Sequence, residues 1–224
     1  MPEFTLFEDK EILTRIYEDI VNKDVIVRYD IKNTLQLREL YQYIVSNLAN
    51  KFSYNNLAKL LDIKSAHTIK KFLGYLEETH FLKILTPLEY SPKKLILSGK
   101  KPYIVDNGFI GVISTKFTKD EGWLLENLVF NSLKNFNVNY NAGQFECDFI
   151  ISKNKKILGA IQVCLDLNNK NRDREIKGLS EAMDKFKLNK GIILTRDQED
   201  KFKIEGKEII IMPVWKWLLE ENEN

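Results

Sequence analysis

The stretch that most limits what this chain can fold into is Gln144–Leu167, QFECDFIISKNKKILGAIQVCLDL. Two runs rich in Phe, Ile and Val flank the polar turn Lys153-Asn154-Lys155-Lys156, which predicts a β-hairpin. Side chains alternate faces along a strand. On the second run Ile161, Val163 and Leu165 therefore point one way and Ala160, Gln162 and Cys164 the other. On the first run Cys147, Phe149 and Ile151 form the apolar face, and Glu146 and Asp148 share the opposite one. If the polar faces coincide, Asp148 stands beside a strand carrying Gln162-x-Cys164. The two cysteines fall on opposite faces, so no disulfide is expected between them.

The rest of the chain divides around that hairpin. Residues 9–23 read as a helix with Ile12, Leu13, Ile16, Ile20 and Val21 on one stripe, and 25–29 continue it as a short extended or helical piece. Residues 34–50 form a second helix, with Thr34 as its N-cap. Ser53 caps a short helix whose Leu57, Leu60 and Leu61 are expected inward, and Ser65 caps a third, AHTIKKFLGYLEETH. The polar face of that third helix carries Lys64, His67, Thr68, Lys71 and Tyr75. Residues 81–85 and 94–97 then predict two strands.

Three helices and a basic β-hairpin make a winged helix-turn-helix, in which the third helix enters the major groove and the wing meets backbone. Charge supports this reading. Residues 51–104 carry ten Lys against four acids, whereas 1–50 carry six basic and nine acidic residues, and the whole chain is only +2. Lys64, Lys70, Lys71, Lys93, Lys94, Lys100 and Lys101 are the expected phosphate contacts, and His67, Thr68 and Lys71 the candidates for base readout. The turn Asp106-Asn107-Gly108 sets the expected boundary, giving an N-terminal helical segment at 1–30, a winged helix at 31–106 and an α/β domain at 107–224.

In that last domain the expected order is a helix over 120–136, a strand over 138–141, the hairpin, a helix over 171–188, strands at 191–195 and 208–212, and a final helix opened by Pro213. A meander, a crossover helix and further strands predict an α/β sandwich on a mixed central sheet. The N-terminus MPEFTLFEDK lacks a basic, apolar leader, and no apolar run reaches membrane-spanning length, so a cytoplasmic protein without a membrane partner is expected.

This order resembles the core of the PD-(D/E)xK nuclease-like fold. Glu126 in Trp123-Leu124-Leu125-Glu126-Asn127 stands at the helical acid, Asp148 at the strand acid, and Gln162-Val163-Cys164 at the (D/E)-x-K position. The whole chain, over roughly 10–220, is similar to the C-terminal region of a family of archaeal and bacterial P-loop ATPases. There a winged helix and a nuclease-like domain follow the ATPase core. The cues are Lys23-Asp24-Val25, Ser53-Tyr54-x-x-Leu57-Ala58, Tyr103-x-x-Asp106-x-Gly108 and Arg174-Glu175-Ile176-Lys177. No G-x-x-x-x-G-K-[ST] is present, so no ATP binding is expected from this chain, and residues 1–30 correspond to a remnant of an ATPase lid.

The resemblance implies a Mg²⁺ or Mn²⁺ site on Glu126 and Asp148, with Gln162 and Cys164 as departures. Gln162 brings an oxygen but no charge, and a neutral Cys164 thiol neither suits a hard cation nor replaces the lysine. Glu146 is a candidate substitute acid and Lys177 a candidate migrated lysine. The expected function is a DNA-binding accessory module of an ATPase, supplied by a separate or covalently upstream domain, with a degenerate metal site and double-stranded DNA as partner. The alternatives are an active Mg²⁺- or Mn²⁺-dependent DNA endonuclease and a protein-interaction or oligomerisation module.

Overall fold

The computed structural model describes residues 10–114 and 121–222, and expectations that fall on 1–9, 115–120 or 223–224 lie outside the described residues. The chain forms two compact units, 10–84 with 99–114 and 85–98 with 121–222.

In the first unit, helix α1 (Lys10–Asp19) runs on into a π-helical segment, Ile20–Val27, which buries Val21 and Val25. Its widened register persists beyond the segment, since the Ile31 N–H still reaches back five residues to the Ile26 carbonyl at 3.0 Å. Arg38 of α2 (Thr34–Val45) grips Glu18 of α1 through two hydrogen bonds of 2.9 and 2.8 Å. Asn33, not the expected Thr34, caps α2: its side chain accepts the Gln36 N–H at 3.3 Å, and Thr34 becomes the first helical residue. A short amide-bearing side chain outcompetes the hydroxyl one position later because Asn33 keeps a non-helical backbone, φ −95° and ψ 76°, whereas Thr34 is already helical.

Ser53 and Ser65 cap α3 (Tyr54–Leu60) and α4 (Ala66–Glu78) as expected, each hydroxyl accepting an N–H three residues on at 3.2 Å. Leu37, Leu40, Ile44, Ile69, Leu73 and Leu76 make the core. Leu60, expected inward, is instead 61% exposed, because a seven-residue helix has room to bury little more than Leu57. Strands β1 (Leu82–Leu85) and β2 (Lys101–Ile104) pair, and Phe52 adds an antiparallel bridge to Lys100, with N–H to O distances of 2.8 and 2.9 Å.

The strand expected over 94–97 does not form. That stretch is a short helix, α5 (Pro92–Leu97), belonging to the second unit. Ser91 accepts the Lys94 N–H and Pro92 occupies the first turn, so capping overrides the strand preference of Leu95-Ile96-Leu97. The segment before it is tied to its unit by the Leu88 N–H, which donates to the Tyr140 carbonyl at 2.8 Å. Asp106 caps a 3₁₀ turn over Asn107–Phe109 by accepting the Gly108 N–H at 2.7 Å, and α6 (Ile110–Ile113) follows within the first unit.

The second unit is a mixed α/β layer structure, with α7 (Gly122–Ser132) followed by six strands in one sheet. The strands are β3 (Asn137–Ala142), β4 (Glu146–Lys153), β5 (Lys156–Val163), β6 (Lys190–Thr195), β7 (Asp200–Ile204) and β8 (Lys207–Pro213), in the order β3-β4-β5-β6-β8-β7. Pairings β5–β6 and β6–β8 are parallel and the rest antiparallel. The crossover between β5 and β6 is α8 (Arg172–Phe186), and α9 (Val214–Asn222) closes the chain.

Three details differ from expectation. β7 is an additional strand at the sheet edge, whose charged Asp200, Lys201 and Lys203 leave only Phe202 and Ile204 as apolar signal. Pro213 ends β8 instead of opening the last helix, since it pairs with Thr195. The hairpin turn is the tight two-residue kind: Asn154 and Lys155 both take positive φ, 52° and 66°.

Helix α8 lies close on β4. A Cβ at Gly178 would sit 2.0 Å from the Glu146 carbonyl oxygen, so only glycine permits this approach. The core beneath α8 joins Leu179, Ala182 and Met183 to Ile150, Ala160 and Ile193.

Candidate functional site

The hairpin register places Phe149 opposite Ile161 and Ile150 opposite Ala160. By alternation Asp148 and Gln162 then share one face, the face on which α8 lies. Both are buried at 5% exposure, and Glu175 from the first turn of α8 joins them at 3%. Gln162 and Glu175 are joined side chain to side chain, and the Gln162 and Asp148 side chains each bond to the backbone of the facing strand. Asp148 Oδ2 accepts the Val163 N–H at 3.0 Å. The Gln162 amide oxygen accepts the Asp148 N–H at 3.2 Å, and its Nε2 donates to Glu175 Oε2 at 2.6 Å. The second Glu175 oxygen receives Arg174, whose Nε donates at 3.0 Å and whose guanidinium end is also bonded to it. Buried carboxylates require such compensation.

The arrangement explains the two departures in the motif. Gln162 has what an acid there would lack, an N–H to give to Glu175, while its oxygen takes the Asp148 backbone N–H without adding a third charge. The Cys164 thiol is held neutral, its pKa pushed up to about 12 by burial first and then by the negative Glu175 and Asp148. A protonated thiol is neither a nucleophile nor a ligand for a hard cation. Both Cys147 and Cys164 are free, but they pack in one core cluster with Ile150 and Ala160, which corrects the expectation that they lie on opposite faces.

The fit to Mg²⁺ or Mn²⁺ can be judged from these atoms. Asp148 Oδ2, both amide atoms of Gln162 and both oxygens of Glu175 are engaged with protein donors and acceptors. Among the described residues no group of three or more His, Cys, Asp and Glu side chains is disposed around a common cation position. The donor set present does not fit a divalent cation.

Glu126 lies half-buried on α7, which packs against the sheet with Phe130 beside Phe149, ring centroids 6.2 Å apart. Since Phe149 and Asp148 alternate, α7 and α8 cover opposite faces. The candidate migrated lysine, Lys177, has its ammonium 5.5 Å from the Phe145 ring centre, and the cation at the acids is Arg174. Glu175 and Arg174 are therefore the members that a motif reading passes over. A signal for Glu175 does exist: it falls four and eight residues before the buried Leu179 and Met183, on the inward stripe of the helix.

In the first unit Lys64, His67, Lys70 and Lys71 are exposed along α4, whereas Thr68 is half-buried with its hydroxyl 3.1 Å from that of Ser65. Lys100 lies over the Tyr54 ring at 5.2 Å, and its pKa is lowered by burial and by the nearby Lys70. Lys101 is 2% exposed, which removes it from the expected phosphate contacts: on a four-residue strand buried throughout, its side chain has no path to solvent. Lys93 and Lys94 are exposed on α5, in the second unit.

Comparison with known proteins adds relatives and a family. The Methanocaldococcus jannaschii protein named Uncharacterized protein MJ1544 is 34% identical across 97% of this chain and 53% of its own length. A Haemophilus influenzae protein named Uncharacterized protein is 26% identical across 91% of this chain and 51% of its own length. The chain thus spans about half the length of these curated relatives. No solved structure matches it. The family described as Domain of unknown function (DUF8612) matches residues 1–120, more than half of the 224, and the chain belongs to that family.

Proposed function

We propose that the first unit is a winged helix that binds double-stranded DNA, and that the second is a PD-(D/E)xK nuclease-like fold whose centre is structural, not hydrolytic. The observation that carries the DNA reading is the crowding of like charge along α4. Lys70 and Lys71 lie exposed on it beside His67, with the exposed Lys64 just before it, the charge of Lys70 adds to burial in lowering the Lys100 pKa, and no acid occurs between Ile63 and Leu76. Such a surface is relieved by an anionic partner. The bridge between Phe52 and Lys100 supports the winged-helix reading, because it adds a third short extended segment to the β1–β2 pair. A non-cutting centre is supported by Gln162 and Arg174, which satisfy Glu175, and by the Val163 N–H, which donates to Asp148 Oδ2.

On this reading the chain acts as the DNA-holding module of a larger machine, with the ATPase implied by the sequence resemblance in a separate or upstream part. The test is fluorescence anisotropy on a labelled duplex between 50 and 200 mM salt. A log binding constant that falls linearly with log salt, and an affinity that drops at least tenfold in the double variant Lys70→Glu, Lys71→Glu, support the reading. No binding by the wild type at 50 mM salt overturns it and leaves protein interaction as the role. Plasmid nicking in Mn²⁺ that is abolished by Asp148→Ala would overturn the structural reading of the second unit.

A further inference from the structure

The outer face of α4 is not bounded by its own side chains alone. Tyr29, which follows the π-helical segment, lies flat on Tyr75 of α4, with ring centroids 3.7 Å apart and planes 12° from parallel. Its hydroxyl donates to the Glu78 carboxylate one turn further along. The guanidinium of Arg28 sits 5.5 Å from the centre of the Tyr29 ring, and the ammonium of Lys71 sits 5.8 Å from that of Tyr75. Two stacked rings are thus flanked by two cations, one from the N-terminal arm and one from the helix.

This placement is built, not incidental. The arm is held by the π-type reach of Ile31 N–H to Ile26 O and by the Tyr29 N–H donating to Val25 O, both 3.0 Å. Asp30 turns the chain away immediately afterwards with φ of 49°, a left-handed conformation that Asp adopts more readily than most residues with a Cβ. Among the described residues Arg28 has no acidic partner. The stack therefore brings an unpaired arginine to a helix face that already carries Lys71, against ordinary electrostatic preference. Arginine forms paired, planar hydrogen bonds with phosphate, which a lysine does not.

We infer that Arg28 is a phosphate contact of the DNA-binding surface and that Tyr29, stacked on Tyr75, is the positioning residue that holds it there. The inference rests on the proposed DNA reading of α4 and adds the N-terminal arm to it. Tyr29 itself is not asked to touch DNA; it fixes the direction from which Arg28 reaches the backbone beside Lys71.

The experiment is the same anisotropy titration on the full chain, read as affinity and as the slope of log K against log salt. Arg28→Gln is expected to weaken binding several-fold and to reduce the slope by about 0.9, the value for one phosphate contact. Tyr29→Leu, which keeps Arg28 but removes the stack, is expected to weaken binding in the same direction. Tyr29→Phe keeps the ring and is expected to retain the wild-type slope. Lys32→Gln, on the same arm but paired with Asp30, is the control and leaves the slope unchanged. Thermal melting of each variant separates lost contact from lost fold.

Loss of binding in Lys70→Glu, Lys71→Glu with an unchanged slope in Arg28→Gln overturns this inference and leaves the DNA reading standing. Tighter binding by Tyr29→Leu also overturns it, since the arm would then be a cover. Absence of duplex binding by the wild type overturns both.

Discussion

Asp148, Gln162 and Glu175 are three buried polar side chains: Gln162 bonds Glu175 and the Asp148 backbone, Arg174 bonds Glu175, and Asp148 Oδ2 takes the Val163 N–H. Removing one leaves a partner stranded. Asp148→Ala deprives the Val163 N–H of its acceptor, and an unmade buried bond costs about 1–3 kcal/mol; urea unfolding is expected to show that loss with or without Mn²⁺. Gln162→Glu replaces the N–H facing Glu175 with an oxygen, so two acceptors meet where a donor stood and a stability deficit is expected in the same urea series. A metal-binding centre would behave oppositely, with Mn²⁺ stabilising Gln162→Glu and wild type alike. The raised Cys164 pKa has its own signature. The native state keeps the thiol proton while the unfolded chain releases it at about 9, so the contribution of Cys164 is complete below that pH and is lost as pH rises towards about 12. Cys164→Ala is expected to flatten that alkaline loss in pH-dependent melts. Alternation alone made Asp148 and Gln162 readable as neighbours. It could not reveal Glu175, because a helical pattern read for its apolar residues passes over an acid on the same stripe.

At the level of elements, local chemistry and tertiary contacts decide different boundaries. Serine caps were legible before α3 and α4, since a hydroxyl followed by a helical apolar pattern is sufficient signal. The same chemistry at Ser91-Pro92 turned a stretch of strand-like Leu and Ile into α5, which has no buried residue to impose a sheet on it. β7 was hidden because an edge strand is selected for charge as much as for pattern. The hairpin turn carries a cost that can be measured. Lys155 has a left-handed backbone with φ of 66°, which for a residue with a Cβ costs about 1–2 kcal/mol. Lys155→Gly is expected to raise the unfolding midpoint, less the larger chain entropy of glycine. The close approach of α8 to β4 predicts the reverse at Gly178. The methyl of Gly178→Ala meets backbone, not a side chain that can turn aside, so destabilisation of about 1–3 kcal/mol is expected in the same urea series.

For the whole molecule the informative feature is how charge is divided between the units. The lysine-rich stretch 51–104 looks like one basic patch in sequence, yet Lys93 and Lys94 belong to the second unit and Lys101 is buried, so that of the seven expected phosphate contacts only Lys64, Lys70, Lys71 and Lys100 remain in the first. Sequence could not show this, because the connection between β1 and β2 departs to the second unit and returns. The separation makes a prediction about duplex binding. Phosphate neutralisation by α4 should fix the salt slope, so Lys70→Glu with Lys71→Glu is expected to lower it by about 2 and weaken binding at all sequences alike. Lys93→Glu with Lys94→Glu is expected to change affinity less than twofold, because α5 surrounds those charges with the exposed Tyr90, Ile96 and Leu97, a surface ill suited to phosphate. Equal losses from the two pairs would mean that both units meet the same duplex, and the binding surface would then have to be drawn across the whole chain instead of around α4.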